Sequence, residues 1–192
     1  MGGSRLLPVI KRSRAKPEGP DPDHLWIVSE PTIDGNSFIV VFNFADLAWS
    51  RTPSECLVYC EAMMTIANRA DHDAAVIKQL VATGLPAGEA ARLVMDLRAD
   101  RPPVVVDGPL HFEPGVSSDG EFRPFIALSV DSVKVGQWDV DQASAHAVAV
   151  LSVAATADLD QAYLRALMGA VGLDEGTARA VVDGLHAHRI LA

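Results

Sequence analysis

Only two cysteines, Cys56 and Cys60, occur among the 192 residues, which excludes a disulfide scaffold. Aromatic residues make up 6% of the chain, so any core must be built mainly from small aliphatic side chains. No apolar run approaches the ~18–20 residues of a membrane span. The longest, Ala145 to Ala157, is interrupted by His146, Ser152 and Thr156. A secretory leader is not expected either, because Leu6-Leu7-Pro8-Val9-Ile10 is a short apolar patch followed by more positive charge. A cytoplasmic location is the simplest expectation. The chain carries no GxGxxG, P-loop, GxSxG, HExxH or EF-hand pattern, and no Cys/His spacing suited to zinc. The expectation is therefore no cofactor, no metal and no catalytic residue.

What is present begins with a hydrophobic content of 49%, enough to bury a proper core. The net charge of −9 is unevenly spread. Residues 1–17 hold Arg5, Lys11, Arg12, Arg14 and Lys16 and no carboxylate. All 25 carboxylates fall on residues 18–192 against eleven Lys and Arg, a balance of −14. A body that acidic repels phosphate backbones and argues against general nucleic-acid binding. The basic segment could bind an anionic surface or neutralise its own acidic body; an unstructured or loosely packed tail is the first expectation, docking to a protein the second, and nucleic acid or lipid the last.

Read for organisation, residues 1–24 form a basic, proline-rich extended arm. Trp26-Ile27-Val28 predicts a strand, and Phe38-Ile39-Val40-Val41-Phe42-Asn43-Phe44, β-branched and aromatic, predicts a buried one. Thr52-Pro53-Ser54-Glu55 has the capping-box form and predicts a helix to about Asn68. Asp71 is expected to cap a second helix to about Thr83, and a third runs from about Pro86 to Ala99. Short strands are expected at Val104–Val106 and Leu110–Phe112, then at Phe125–Val130 and Val133–Val135. Helices capped by Asp139 or Asp141, by Asp158 and by Asp174 complete the chain.

These elements suggest one unit written twice: residues 25–101 and 125–192, joined by a linker with short strands over 102–124. Ala70-Asp71 and Asp73 recur as Ala157-Asp158 and Asp160, each 87 residues later. Phe38-Ile39 matches Phe125-Ile126, and Ala75 and Leu80 match Ala162 and Leu167. With one-residue slips, Gly84-Leu85, Ala91-Arg92, Val94, Asp96, Leu97, Ala99 and Arg101 find partners as well, giving sixteen identities over about 65 residues. The predicted fold class is α+β: a small antiparallel sheet with strands and about three helices per unit, related by a pseudo-two-fold. Each first helix, apolar almost all round, is expected to be buried on every side.

Candidate chemistry is thin. Cys56 and Cys60 share a helix face, yet their counterparts are Ala143 and Ala147, which points to packing. The histidines are His24, His72, His111, His146, His186 and His188. His186, His188 and Arg189 are read as cations welcome at a helix C-terminus, and their counterparts Arg98, Asp100 and Arg101 as surface charges. His146 stands opposite Tyr59, a polar tip in both copies. Trp49 and Trp138 are expected to plug the strand-to-helix joints. Arg92 with Asp96, and Arg179 with Asp183, read as helix-stabilising pairs.

The reading this supports is a non-catalytic accessory or structural subunit that binds another protein within a larger assembly. Arg5, Leu6, Leu7, Ile10, Lys11, Arg12 and Arg14 of the arm, with His111 and Phe112 of the linker, are the expected docking residues. The alternative is a small-molecule-binding protein or enzyme with its site at the cleft between repeats, lined by Tyr59, His146, Trp138 and Asp139.

Overall fold

A computed structural model describes residues 25–33 and 37–190, with side chains described as far as Leu185. The arm, with its candidate residues from Arg5 to Arg14, lies outside the described residues, as do the side chains of His186, His188 and Arg189. The fold is α+β. In chain order come β1 (Trp26–Pro31), β2 (Phe38–Phe44), β3 (Leu47–Arg51), α1 (Pro53–Ala82) and α2 (Ala87–Ala99). Then follow β4 (Leu110–Val116), β5 (Pro124–Val130), β6 (Val133–Trp138), α3 (Val140–Gly169) and α4 (Glu175–Ile190). Instead of one small sheet there are two, each of three antiparallel strands, ordered β1-β2-β3 and β4-β5-β6.

β2 alternates as a one-sided strand should, burying Phe38, Val40, Phe42 and Phe44. β5 buries Ile126 and Leu128. β3 was not anticipated from sequence, because the Ala45-Asp46 turn before it lacks glycine or asparagine; Ala45 nevertheless takes φ 49°. At the β5–β6 turn Asp131 and Ser132 have φ 48° and 66°, the left-handed pair that a tight hairpin requires. Val104–Val106 belongs to no strand. On the outer face of the second sheet the Phe125 ring covers Gly115 so closely that a Cβ there would fall within the ring's van der Waals envelope.

The expected count of three helices per unit is corrected to two. Asp71 and Asp158 cap nothing. Both lie exposed inside the 30-residue helices α1 and α3. No glycine or proline interrupts either run after Pro53 or Val140, and the alanine-rich stretches around Ala70 and Ala157 favour continuation over restart. Each helix ends where the chain turns left-handed, at Gly84 (φ 97°) and Gly172 (φ 77°).

The helix starts use the predicted chemistry. Thr52 N–H donates to Glu55 Oε2 at 2.8 Å while Glu55 N–H donates back to Thr52 Oγ1 at 3.3 Å. At α3, Asp139 N–H donates to Gln142 Oε1 at 3.0 Å and Gln142 N–H to Asp139 Oδ1 at 2.7 Å. These are two capping boxes, 87 residues apart. Asp174 caps α4, accepting from Thr177 N–H at 3.0 Å.

Burial follows a common spacing along the two long helices. α1 buries Cys56, Tyr59, Cys60, Met63, Ile66, Ala67, Ala70, Asp73, Ala74 and Ile77, and α3 buries or half-buries the residue 87 further on in every case. α2 buries Ala90 and Val94, and α4 buries Ala178 and Val182, 88 residues on. Two stretches of the sixteen identities contain pairs that differ in burial: Phe38 is buried while Phe125 is not, and Val94 is buried while Val181 is 42% exposed.

Two compact units divide the chain. One joins residues 1–56 to 150–192 and so contains the first sheet, most of α3 and α4; within it Trp49 stacks on Phe42 at 5.3 Å. The other, residues 57–149, contains most of α1, α2, the second sheet and the start of α3. In this second unit Ile77, Ala90 and Val94 form a small core with Leu80, Leu85, Val116 and Phe122 around it.

Candidate functional site

The described candidate residues fall into two places within the unit of residues 57–149, and a third place lies in the same unit. The first is an aromatic cluster. Near its start α1 places Tyr59 inward, and α3 places His146 opposite, where the Tyr59 hydroxyl and His146 Nε2 meet at 2.9 Å. Trp138, at the end of β6, packs its ring 4.9 Å from the imidazole. Phe112 closes the cluster, 5.8 Å from Trp138 and 6.2 Å from Tyr59. Cys60 lies next to this crossing and its thiol donates to the Ala147 carbonyl at 3.3 Å.

Burial pushes the His146 pKa down to about 4, because the aromatic surroundings do not solvate an imidazolium. The ring is thus neutral near pH 7 and shares a single proton-bearing contact with a phenol. Both polar tips are satisfied by each other, which is the arrangement a buried pair needs. Asp139, also named for the cleft, is exposed, and its carboxylate is committed to capping α3.

The second place is a groove of about 670 Å³ over the outer face of the second sheet. His111, Glu113, Ser129 and Lys134 line it, with Val104, Val105 and Asp107 along one lip. His111 and Phe112, paired in the sequence reading, are separated by the pleat. His111 is exposed in the groove while Phe112 is 6% exposed on the opposite face. Lys134 is held over the Phe125 ring at 5.3 Å and donates to Gln137 Oε1 at 2.9 Å.

The third place was missed. Asp73 is completely buried in α1, and two arginines converge on it. Arg98 Nε and Nη2 donate to Oδ2 at 3.0 and 2.7 Å, and Arg101 Nη1 donates to Oδ1 at 2.7 Å. Arg98 Nη1 also reaches the Pro114 carbonyl of β4 at 2.7 Å. The clamp ties α1, the end of α2 and the second sheet together through one carboxylate. Reading Arg98 and Arg101 as surface charges is corrected accordingly. The signal was present: Asp73 recurs as Asp160, which is equally buried, and Arg101 recurs as Arg189. In α4, Arg179 pairs with Glu175 at 2.5 Å, one turn back.

Among the described residues no group of three or more His, Cys, Asp or Glu is gathered in a way that could hold a metal ion. No described helix is long and apolar enough to cross a membrane. No family model, curated protein or solved structure compared with the chain matches it.

The long helices are not buried on every side, contrary to expectation. Leu57 and Val58 of α1 remain 54% and 66% exposed, and Val148 of α3 65%. Their apolar faces are wider than the fold of one chain covers.

Proposed function

We propose that this protein is a non-catalytic accessory or structural subunit that binds another protein within a larger assembly. The observation that carries this reading is the exposed apolar side of the two long helices, at Leu57, Val58, Met64, Val148 and Leu151. Side chains of that kind clustered on a surface mark a place where something else covers them. The basic arm and His111 on the groove are further docking elements in this reading. Affinity purification from the native cell tests it: a stoichiometric protein partner is expected, and removing residues 1–17 or placing aspartate at Leu57 and Val58 weakens its recovery. Recovery of the chain alone sinks the reading.

The alternative keeps a small molecule at the cleft between repeats, and the meeting of Tyr59, Trp138 and His146 in one cluster is what favours it. Native mass spectrometry showing a bound metabolite, lost in His146→Phe, would establish that second reading over the first.

An internal duplication with pseudo-two-fold character belongs to the same proposal. It is supported by the repeated order of three strands and two helices, by equal 30-residue long helices and by capping boxes 87 residues apart. Like also meets like: Tyr59 contacts His146 and Cys60 contacts Ala147, each its own counterpart. In an isologous contact only residues near the axis touch their equivalents. Exchanging the pair, Tyr59→His with His146→Tyr, is expected to restore much of the stability lost by either change alone. A double variant as unstable as the sum of the singles counts against the symmetry.

A further inference from the structure

From Pro53 to Asn68, the first half of α1 carries Glu55 and Glu61 and no Lys or Arg. Leu57, Glu61 and Met64 recur at helical spacing, so a carboxylate stands among exposed aliphatic side chains on one face. α3 repeats the pattern. Val148, Leu151 and Leu159 are 65%, 38% and 53% exposed, and between Val140 and Leu164 the helix has the exposed Asp141 and Asp158, the buried Asp160, and no Lys or Arg. Met64 and Leu151, counterparts 87 residues apart, are equally exposed at 38%.

Residues 5–14 have the opposite character: Leu6, Leu7, Val9 and Ile10 flanked by Arg5, Lys11, Arg12 and Arg14, with no carboxylate. Apolar residues bordered only by cations match a helix face bordered only by anions, so burial and Coulomb attraction act together. The 24 residues that precede the described chain span up to ~80 Å when extended, ample to reach a neighbouring molecule. Each chain has one arm and two such faces. An arm on its own body therefore still leaves a face open to the arm of another copy.

We propose that residues 5–14 of one copy dock on the exposed α1 or α3 face of a second copy. This rests on the protein-binding reading above and names the partner as the chain itself. Arm-to-body contacts are heterologous, so they build rings or open chains.

Light scattering of the full chain across concentration, at low and high salt, tests the proposal. Concentration-dependent association is expected, weakened roughly tenfold or more by high salt as the charges are screened. Reversing Arg5, Lys11, Arg12 and Arg14 to glutamate in the full chain should abolish it without altering the circular dichroism spectrum. Leu57→Asp with Val148→Asp should do the same, since both side chains are exposed. A synthetic peptide of residues 1–17, titrated into the charge-reversed chain, is expected to bind and to lose binding with those aspartates present. A full chain monomeric at every concentration overturns the proposal, as does association unchanged by arm reversal or a peptide that fails to bind. If the chain is monomeric while a different protein co-purifies from the cell, the accessory-subunit reading survives and only self-docking falls.

Discussion

α1 and α3 present the same ten positions to the interior, yet they fill them unequally. α1 supplies the bulk, with Tyr59, Cys60, Met63, Ile66 and Ile77, where α3 has His146, Ala147, Val150, Val153 and Leu164. Cys60 reaches the Ala147 backbone because a methyl group is all that stands there. Residue volume at these positions differs between the helices while the pattern of inward positions is the same. Charge does not differ, since Asp73 and Asp160 are both fully buried. The comparison separates two kinds of constraint: the size of a buried side chain varies from one helix to the other, whereas a buried carboxylate needs its own donors.

The largest test of that distinction is removal of the carboxylates. Asp73→Ala leaves Arg98 and Arg101 facing each other without a counter-charge, and about 3 kcal/mol of stability should be lost in denaturant unfolding. Asp160→Ala is expected to cost a similar amount. A loss below about 1 kcal/mol at Asp160 would mean that burial of the two carboxylates has different causes in the two helices.

Trading volume should be next in size. Met63 is fully buried, so Met63→Ala should destabilise by roughly 2–4 kcal/mol. Val150→Ala, at the counterpart position, removes fewer methyl groups and should cost less. Equal losses would show that α3, despite its smaller residues, is the more tightly packed of the two.

A pH titration sharpens the contrast at Tyr59 and His146, where α1 carries a phenol and α3 an imidazole. The folded His146 pKa of about 4 lies below its ordinary 6.5, so between those values the unfolded chain binds a proton that the folded chain refuses. Stability is therefore intact above pH 6.5 and declines as pH falls toward 4, by at most about 3 kcal/mol from this group. Thermal unfolding of His146→Phe, compared with the parent between pH 4 and 7, should lack that part of the decline.

Smallest are the caps. Thr52→Ala and Asp139→Ala should each cost about 1 kcal/mol, while Asp71→Ala and Asp158→Ala, mid-helix and exposed, should stay within about 0.5 kcal/mol. A cost at Asp71 equal to that at Thr52 would reinstate a helix break there.

Much of this molecule was legible in the chain. β2 was readable because β-branched and aromatic residues run together over Phe38–Phe44, and the start of α1 because Thr52, Pro53 and Glu55 each satisfy a backbone requirement at their own position. Such signals are local. β3 was not legible, since its turn has no glycine and its strand character comes from pairing with β2. Asp71 looked like a cap because a carboxylate before an apolar run has the same local chemistry whether a helix begins there or passes through. Two positions later, Asp73 was the residue that mattered, and nothing in its neighbours announced the arginines 25 and 28 residues away. The candidate residues divided in the same way: Tyr59, Trp138, His146 and Phe112 assemble, while His111 and Asp139 turn outward to other tasks.

The strand at Phe38–Phe44, the helix starts at Thr52, Asp139 and Asp174, and the uneven spread of charge between residues 1–17 and 18–192 were determined by the amino-acid sequence itself, because each depends on residue type and near-neighbour spacing. Which carboxylate is buried, which faces of α1 and α3 stay exposed, and which aromatic rings enclose His146 were decided only when distant segments packed together. Desolvation and donor geometry are properties of that three-dimensional neighbourhood, and no stretch of chain carries them alone.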